Sequence, residues 1–156
     1  MSLFNAIQST IRDVQFGANV QVVEPCNLYE CKIGAGSFIG PFVEIQKNAT
    51  IGERCKIQSH SFICSLVTIG NDCFIGHGVM FVNDDFRSGS PAGGAEIQWK
   101  PTIIEDHVSI GSNATILPVH ICGHTVIGAG AVVTKDITEP GIYAGNPAVL
   151  IRKLPV

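Results

Sequence analysis

Charge is scarce in this chain. Only 15% of its 156 residues are charged, against 46% hydrophobic. That balance excludes a disordered polyelectrolyte and suits a well-buried core. The formal net charge is −3 and no basic cluster occurs, so nucleic acid is not an expected partner. No run approaches the ~18 continuous apolar residues of a membrane span. The N-terminus has no cationic segment followed by an apolar stretch, so no secretory leader is expected. No Cys-x-x-Cys occurs among the six cysteines, which removes the usual signature of a structural zinc site, and no metal is expected. Free thiols suit a cytoplasmic location. A chain of this length is expected to form one domain, 1–156.

A strict period of six dominates the rest. Ile33, Ile39, Ile45, Ile51, Ile57, Ile63, Ile69, Ile75 and Phe81 follow one another at intervals of six. Two residues before each stands a small or β-branched residue: Cys31, Ser37, Val43, Ala49, Cys55, Ser61, Val67, Cys73 and Val79. Six fits neither a helix nor a simple two-residue alternation. It is the period of a hexapeptide-repeat parallel β-helix, in which three hexads make one triangular coil. Residues 18 apart then stack at the ~4.8 Å spacing of paired strands, and each coil leans only on its neighbours. Cys31, Cys55 and Cys73 read as small core residues. Gly follows the large residue at Gly34, Gly40, Gly52, Gly70 and Gly76, which is expected where a turn needs positive φ.

The repeat is expected to begin at Phe16-Gly17, with Val20 and Val22 facing inward. It contracts by one residue between Leu28 and Ile33. It stops after Phe81 and resumes at Thr102 and Ile104, continuing to Val133 with a second contraction at Leu117-Pro118. The interruption, about 82–101, exceeds the ~12–15 residues beyond which a structureless loop is uncommon and usually functional. Residues 1–13 are the least readable, with Phe4-Asn5-Ala6-Ile7 as a candidate end cap. A tail of about 138–156 leaves through Pro140-Gly141 and Gly145-Asn146-Pro147-Ala148, as a strand or short helix over the last coil.

The repeat, the loop, the segment Ile127-Gly-Ala-Gly-Ala-Val-Val-Thr-Lys-Asp-Ile137 and the following Gly-Asn-Pro-Ala together resemble the hexapeptide-repeat acyltransferases. More narrowly, Ile75-Gly-His-Gly-Val-Met-Phe-Val-Asn-Asp84 and Ile116-Leu-Pro-Val119 resemble N-acetyltransferases of nucleotide-linked amino sugars, the 3-amino-3,6-dideoxyhexose type among them. The resemblance implies an all-β, left-handed parallel β-helix with one protruding loop and a short C-terminal tail. It also implies a homotrimer, acetyl-CoA as cosubstrate, and a dTDP- or UDP-linked amino sugar as acceptor.

Acetyltransferases of the superfamily that act on hydroxyls usually place a catalytic His at the start of the loop. Here Phe86 stands near that position, beside Asn83, Asp84 and Asp85. An amine can attack a thioester with little help, whereas an alcohol needs a strong base, so the amino-sugar branch fits better. Counting in sixes puts His60, His77, Gly111 and Ala129 in one rising column on one edge of the prism. Small residues there are expected to leave backbone N–H groups accessible to an extended pantetheine arm. The candidate catalytic residues are Asn83, Asp84 and His77. His60, Asp85 and Arg87 are candidates for substrate binding, and Gly111, Ser112, Gly128 and Ala129 for the cofactor. Lys135 and Arg152 match family positions near the CoA phosphates. Because loop and column fall on different edges, active sites are expected at subunit interfaces. The alternatives are O-acetylation of a sugar or serine, a β-helix metal site of the γ-carbonic anhydrase type, and a noncatalytic scaffold.

Overall fold

The computed structural model describes residues 10–154; the proposed cap at Phe4–Ile7 lies outside them. Short strands, mostly of two residues, run from Ile11–Arg12 to Val149–Lys153 and sort into three sheets that form the faces of a triangular prism. The chain winds as a left-handed parallel β-helix. On the first face the inward residues are Phe16, Ile33, Ile51, Ile69, Ile104 and Ile121, stacked in parallel register. The second face stacks Val22, Ile39, Ile57, Ile75, Ile110 and Ile127. The third stacks Leu28, Ile45, Ile63, Phe81, Ile116 and Val133. Nearly all of these side chains are fully buried, and they form one continuous core.

Ladders of small residues fill the space between the large ones. Ser37, Cys55 and Cys73 make one such ladder, and its polar atoms are satisfied by turn carbonyls. Ser37 Oγ donates to Gly52 O at 2.9 Å and Cys55 Sγ to Gly70 O at 3.0 Å. Ser61 Oγ donates to Gly76 O at 2.8 Å. A buried hydroxyl is tolerable only with such a partner.

The glycines after the large residues have another cause than the expected one. None of Gly34, Gly40, Gly52, Gly70 and Gly76 has positive φ. They are places of close approach between coils. A Cβ on Gly52 would lie 2.4 Å from Gly70 O of the coil above. Positive φ falls two residues later in the turn, at Gly36 and Gly78 but also at Asn48, Arg54, His60, Leu66, Asp72, His107 and Asn113.

The start of the repeat also differs. Ile11 already pairs with Leu28, so the repeat begins before Phe16. The five-residue step from Ile11 to Phe16 hides this, as the step from Leu28 to Ile33 does one coil later. The tail takes the strand form of the two expected, as a pair of strands rather than a helix. Gly141–Ala144 adds to the second face alongside Val126–Ile127, and Val149–Lys153 folds back antiparallel to it.

Candidate functional site

Three edges join the faces. The first follows Ile69, the second Ile75 and the third Phe81. On the first and second edges every described step from large residue to large residue is six, from Phe16 onward. All the departures fall on the third edge: five-residue steps at Ile11, Leu28 and Ile116, a four-residue step from Val133 to Ile137, which stacks on Ile121, and the long insertion after Phe81.

The second edge resolves into three neighbouring columns rather than one. Gly76, Gly111 and Gly128 form the innermost, and a Cβ on Gly111 would lie 2.5 Å from Ala129 N. Ser59, His77, Ser112 and Ala129 form the middle column. Phe42, His60, Gly78 and Asn113 form the third. His60 therefore stands one residue aside from His77, its ring stacked on Phe42 at 4.8 Å. The period gives the edge, but the column depends on position within the turn. His77 Nδ1 shares a hydrogen bond with Ser59 Oγ at 3.1 Å, and both side chains remain accessible.

The backbone N–H groups of this edge divide in the same way. Those of Gly76, Gly111 and Gly128 donate to Ile110, Ile127 and Tyr143 carbonyls, so the innermost column offers none. Gly78 N, Asn113 N and Gly130 N are likewise bound to the coil below. The N–H groups of His77, Ser112 and Ala129 have no protein acceptor among the described residues. On the first edge three of the equivalent groups are capped by side chains, Glu53 N by Asn71, Asn71 N by Asp106, and Gly123 N by Glu105, while those of Ala35 and Asp106 are not. A backbone donor needs a partner from protein, water or ligand. The second edge thus presents a column of donors that the fold leaves open.

The loop at the third edge is pinned at its base. Asn83 Nδ2 donates to Ser65 O at 3.2 Å, and Lys100 N donates to Asn83 O at 2.9 Å. Asp84 shapes the turn: Oδ1 accepts from Phe86 N at 3.0 Å and Oδ2 from Ala92 N at 2.7 Å. Each oxygen keeps a second lone pair. Asp85 Oδ2 is met by both Lys100 Nζ and Arg87 Nη2. The Lys100 ammonium holds the Asp85 carboxyl below its ordinary range. Farther along, Glu96 pairs with Lys47, fastening the loop to a lower coil. Arg87, Ser88, Ile97, Gln98, Trp99 and Lys100 line an open cleft of about 470 Å³.

Asn83, Asp84, Asp85 and Arg87 are thus together on the third edge, and His60, His77, Gly111, Ser112, Gly128 and Ala129 on the second. Lys135 follows Val133 on the third edge, while Arg152 lies on the outermost strand of the second face. No single chain gathers all these candidates into one pocket. Sequence reasoning did not single out Lys100 and Trp99. Their signal was only a Trp-Lys pair at the end of an aperiodic segment. The remaining histidines lie elsewhere. His107 and His124 stack at 4.7 Å on the first edge, and His120 pairs with Glu105 at 2.7 Å. Among the described residues no group of three ligand side chains could hold a metal ion.

Two family models match the chain: bacterial transferase hexapeptide (six repeats) over residues 30–65, and hexapeptide repeat of succinyl-transferase over residues 101–135. The bifunctional protein GlmU of Thermodesulfovibrio yellowstonii is 40% identical over 111 residues, which are 70% of this chain and 22% of that protein. The chain spans about a quarter of the length of the curated relatives it matches. Among solved structures, AntD, an N-acyltransferase from Bacillus cereus in complex with dTDP and 3-hydroxybutyryl-CoA, superposes with a TM-score of 0.79 at 20% identity, covering 92% of this chain and 84% of AntD. The hexapeptide-repeat acetyltransferase VCA0836 of Vibrio cholerae O1 biovar eltor, complexed with acetyl coenzyme A, gives 0.68 at 26% identity, covering 80% and 71%. The chain thus carries hexapeptide repeats of the bacterial transferase type over residues 30–65 and 101–135, on a solenoid that it shares with these acyltransferase structures.

Proposed function

We propose that the protein transfers an acetyl group from acetyl-CoA to the amino group of a nucleotide-activated amino sugar, dTDP- or UDP-linked. The active sites lie between the subunits of a homotrimer. The observation that carries this reading is the pairing of an open donor column at the second edge with an acid-lined, histidine-free loop at the third.

The amide carbonyls of the pantetheine arm suit the open N–H groups of His77, Ser112 and Ala129, which repeat at the spacing of the coils. Lys135 and Arg152 hold the CoA phosphates. Asp84 faces the acceptor amine with its remaining lone pairs, orients the ammonium form and takes one proton. The free amine then attacks the thioester carbonyl. The C–N bond forms, the C–S bond breaks, and CoA leaves as the thiol after protonation. Asn83 and His60 position the sugar, and His77 contacts the thioester oxygen. AntD holds dTDP and 3-hydroxybutyryl-CoA, and VCA0836 holds acetyl coenzyme A; these ligands are consistent with both halves of this site. A trimer explains how the halves meet: the third face separates the two edges within one chain, and its outward Met80, 42% exposed, offers an apolar contact for a neighbour.

A second reading is O-acetylation, favoured by His77. Its imidazole is oriented by Ser59, and with Nδ1–H donating to Ser59 Oγ it presents Nε2 as a base, which a hydroxyl acceptor requires. Thiol release from acetyl-CoA, measured over a panel of nucleotide-linked amino sugars and their hydroxyl counterparts, decides. Turnover confined to amines supports the proposal. Turnover confined to hydroxyls overturns it in favour of O-acetylation. Absence of turnover with every acceptor overturns both.

A further inference from the structure

The loop cleft is not needed for acetyl transfer as described above, yet it has the composition of a nucleotide site. It combines the chain's single Trp, an amide, two cations and an apolar rim. Lys100 and Arg87 converge on one oxygen atom, Asp85 Oδ2. With Asp85 ionised the trio carries a net charge of about +1, and two cations brought to one point suit the oxygens of a phosphate. Trp99 lies next to Lys100 in the chain, half-buried, and supplies the large π surface on which any base can stack. Ile97 on the rim is 96% exposed and gives the cleft an apolar edge. A cavity of about 470 Å³ falls within the ~300–1,000 Å³ of small-ligand sites.

We infer that this cleft binds the nucleoside diphosphate of the acceptor substrate. The base lies on Trp99, its edge is read by the Gln98 amide, and the diphosphate rests on Arg87 and Lys100. The inference rests on the reading of a nucleotide-linked acceptor and assigns its carrier half to named residues. Asp85 supports the placement. It ties both cations and is the chain neighbour of Asp84, so a sugar linked to a diphosphate held there begins beside the carboxylate that faces its amine. CoA also carries a nucleotide diphosphate, and the same chemistry could serve it. The sugar nucleotide is favoured because the cleft belongs to the acceptor loop, on a different edge from the open donor column.

Trp99 is the only indole, so its emission reports the cleft directly. The intact protein is titrated with UDP, dTDP and GDP, and separately with 3′,5′-ADP, desulfo-CoA and inorganic pyrophosphate. The expected result is saturable quenching by at least one nucleoside diphosphate, more tightly than by pyrophosphate. Arg87→Ala and Lys100→Ala are expected to weaken it about 10-fold each, as for loss of a charged hydrogen bond, and added salt to weaken it further. Trp99→Ala, followed by calorimetry, is expected to weaken binding by about 10-fold or more. Thermal unfolding of the variants at the wild-type temperature establishes that they are folded.

Three results overturn the inference: no response to any nucleoside diphosphate, a response to the CoA fragments alone, or affinities unchanged in Arg87→Ala and Lys100→Ala. Its failure is separable from that of the proposed function. Amino-sugar turnover with an unaltered KM in Trp99→Ala and Arg87→Ala removes the cleft but keeps the acetyltransferase. Diphosphate binding without turnover of any amino sugar keeps the cleft and removes the reaction.

Discussion

Replacing Gly52 by Ala should damage this fold far more than replacing Gly36, although only Gly36 has positive φ. At Gly52 the new Cβ meets Gly70 O at 2.4 Å and Gly70 C at 2.5 Å, both backbone atoms of the next coil. An ordinary carbon–oxygen contact needs ~3.3–3.6 Å, so the coils must part locally by about 1 Å. Gly52 N donates to Ile69 O at 2.8 Å, and the same displacement stretches that bond beyond the ~3.2 Å limit of a good one. Overpacking at ~1–3 kcal/mol and one or two lost hydrogen bonds at ~0.5–1.5 kcal/mol each sum to about 2–6 kcal/mol. At Gly36 the added Cβ finds only the flexible Arg54 side chain at 3.5 Å, with φ at +70°. The left-handed conformation costs ~1–2 kcal/mol, and lower unfolded-state entropy returns ~0.4–1 kcal/mol. The net cost is about 1 kcal/mol. Arg54 and Asp72 already occupy the same turn position in the coils above, so the chain tolerates side chains there. At about 2–4 °C of Tm per kcal/mol for a chain of this size, calorimetry at equal protein concentration should find Gly36→Ala within about 2–4 °C of wild type. Gly52→Ala should unfold several-fold further below. Equal losses, or a larger loss at Gly36, would refute the close-approach argument and restore turn conformation as the reason for these glycines.

Four further outcomes are expected. His77→Ala should lower kcat for acetyl transfer at least 10-fold, and Ser59→Ala should shift the pH profile of kcat without abolishing turnover, because it frees Nδ1. Asp84→Ala removes the acceptor of two loop N–H groups. Turnover should fall by more than 10-fold while Tm changes by less than about 2 °C, since the loop is peripheral to the core. Lys135→Ala and Arg152→Ala should raise the KM for acetyl-CoA with kcat unchanged, as loss of uniform binding does. The Arg54 guanidinium, bonded to both Asp72 carboxylate oxygens at 2.8 Å, holds that carboxyl below its ordinary value of 3.8. A depressed folded-state pKa gives stability that is present above the unfolded value and lost as pH falls through the folded one. Acid unfolding curves of wild type and Arg54→Gln should therefore converge below about pH 4, and curves that stay parallel down to pH 2 would contradict the pairing.

The sequence disclosed the solenoid because large inward residues repeat without a slip from Ile33 to Phe81, and only one geometry buries every sixth residue for so long. It disclosed the edges as well. Asn83 and Asp84 on one and His77 on another follow from counting alone. What counting cannot supply is distance between coils. The glycines after Ile51 and Ile75 look like turn glycines in a linear sequence, and only the stacked backbone shows what a Cβ would strike. The offset between His60 and His77 was hidden for a related reason: a residue 17 positions away shares an edge but not a column. The loop interior was the least legible. Asp84 bonded to Phe86 N and Ala92 N, and Lys100 and Arg87 meeting on Asp85, are contacts without period. Nothing in a hydrophobic pattern encodes them.

The distribution of irregularity over the three edges carries the functional argument furthest. A solenoid could accept an extra residue at any turn, since each is solvent-facing. Here the first and second edges keep a six-residue step in every described coil, while the third contracts four times and expands once. The first edge has a physical reason for constancy: three of its second-position N–H groups, those of Glu53, Asn71 and Gly123, are capped by Asn71, Asp106 and Glu105 from the coil above or below. Those caps require aligned turns. The second edge has no such caps at His77, Ser112 and Ala129, so its alignment is not needed to satisfy the protein itself. An aligned column of open donors, kept in register without internal partners, is what an extended ligand running along the prism requires. The third edge, relieved of either constraint, is where the chain can insert a long loop without disturbing the donor column. On the proposed reading, scaffold, cosubstrate track and acceptor loop are separated by edge, and each edge's tolerance for length follows from which atoms must stay in line.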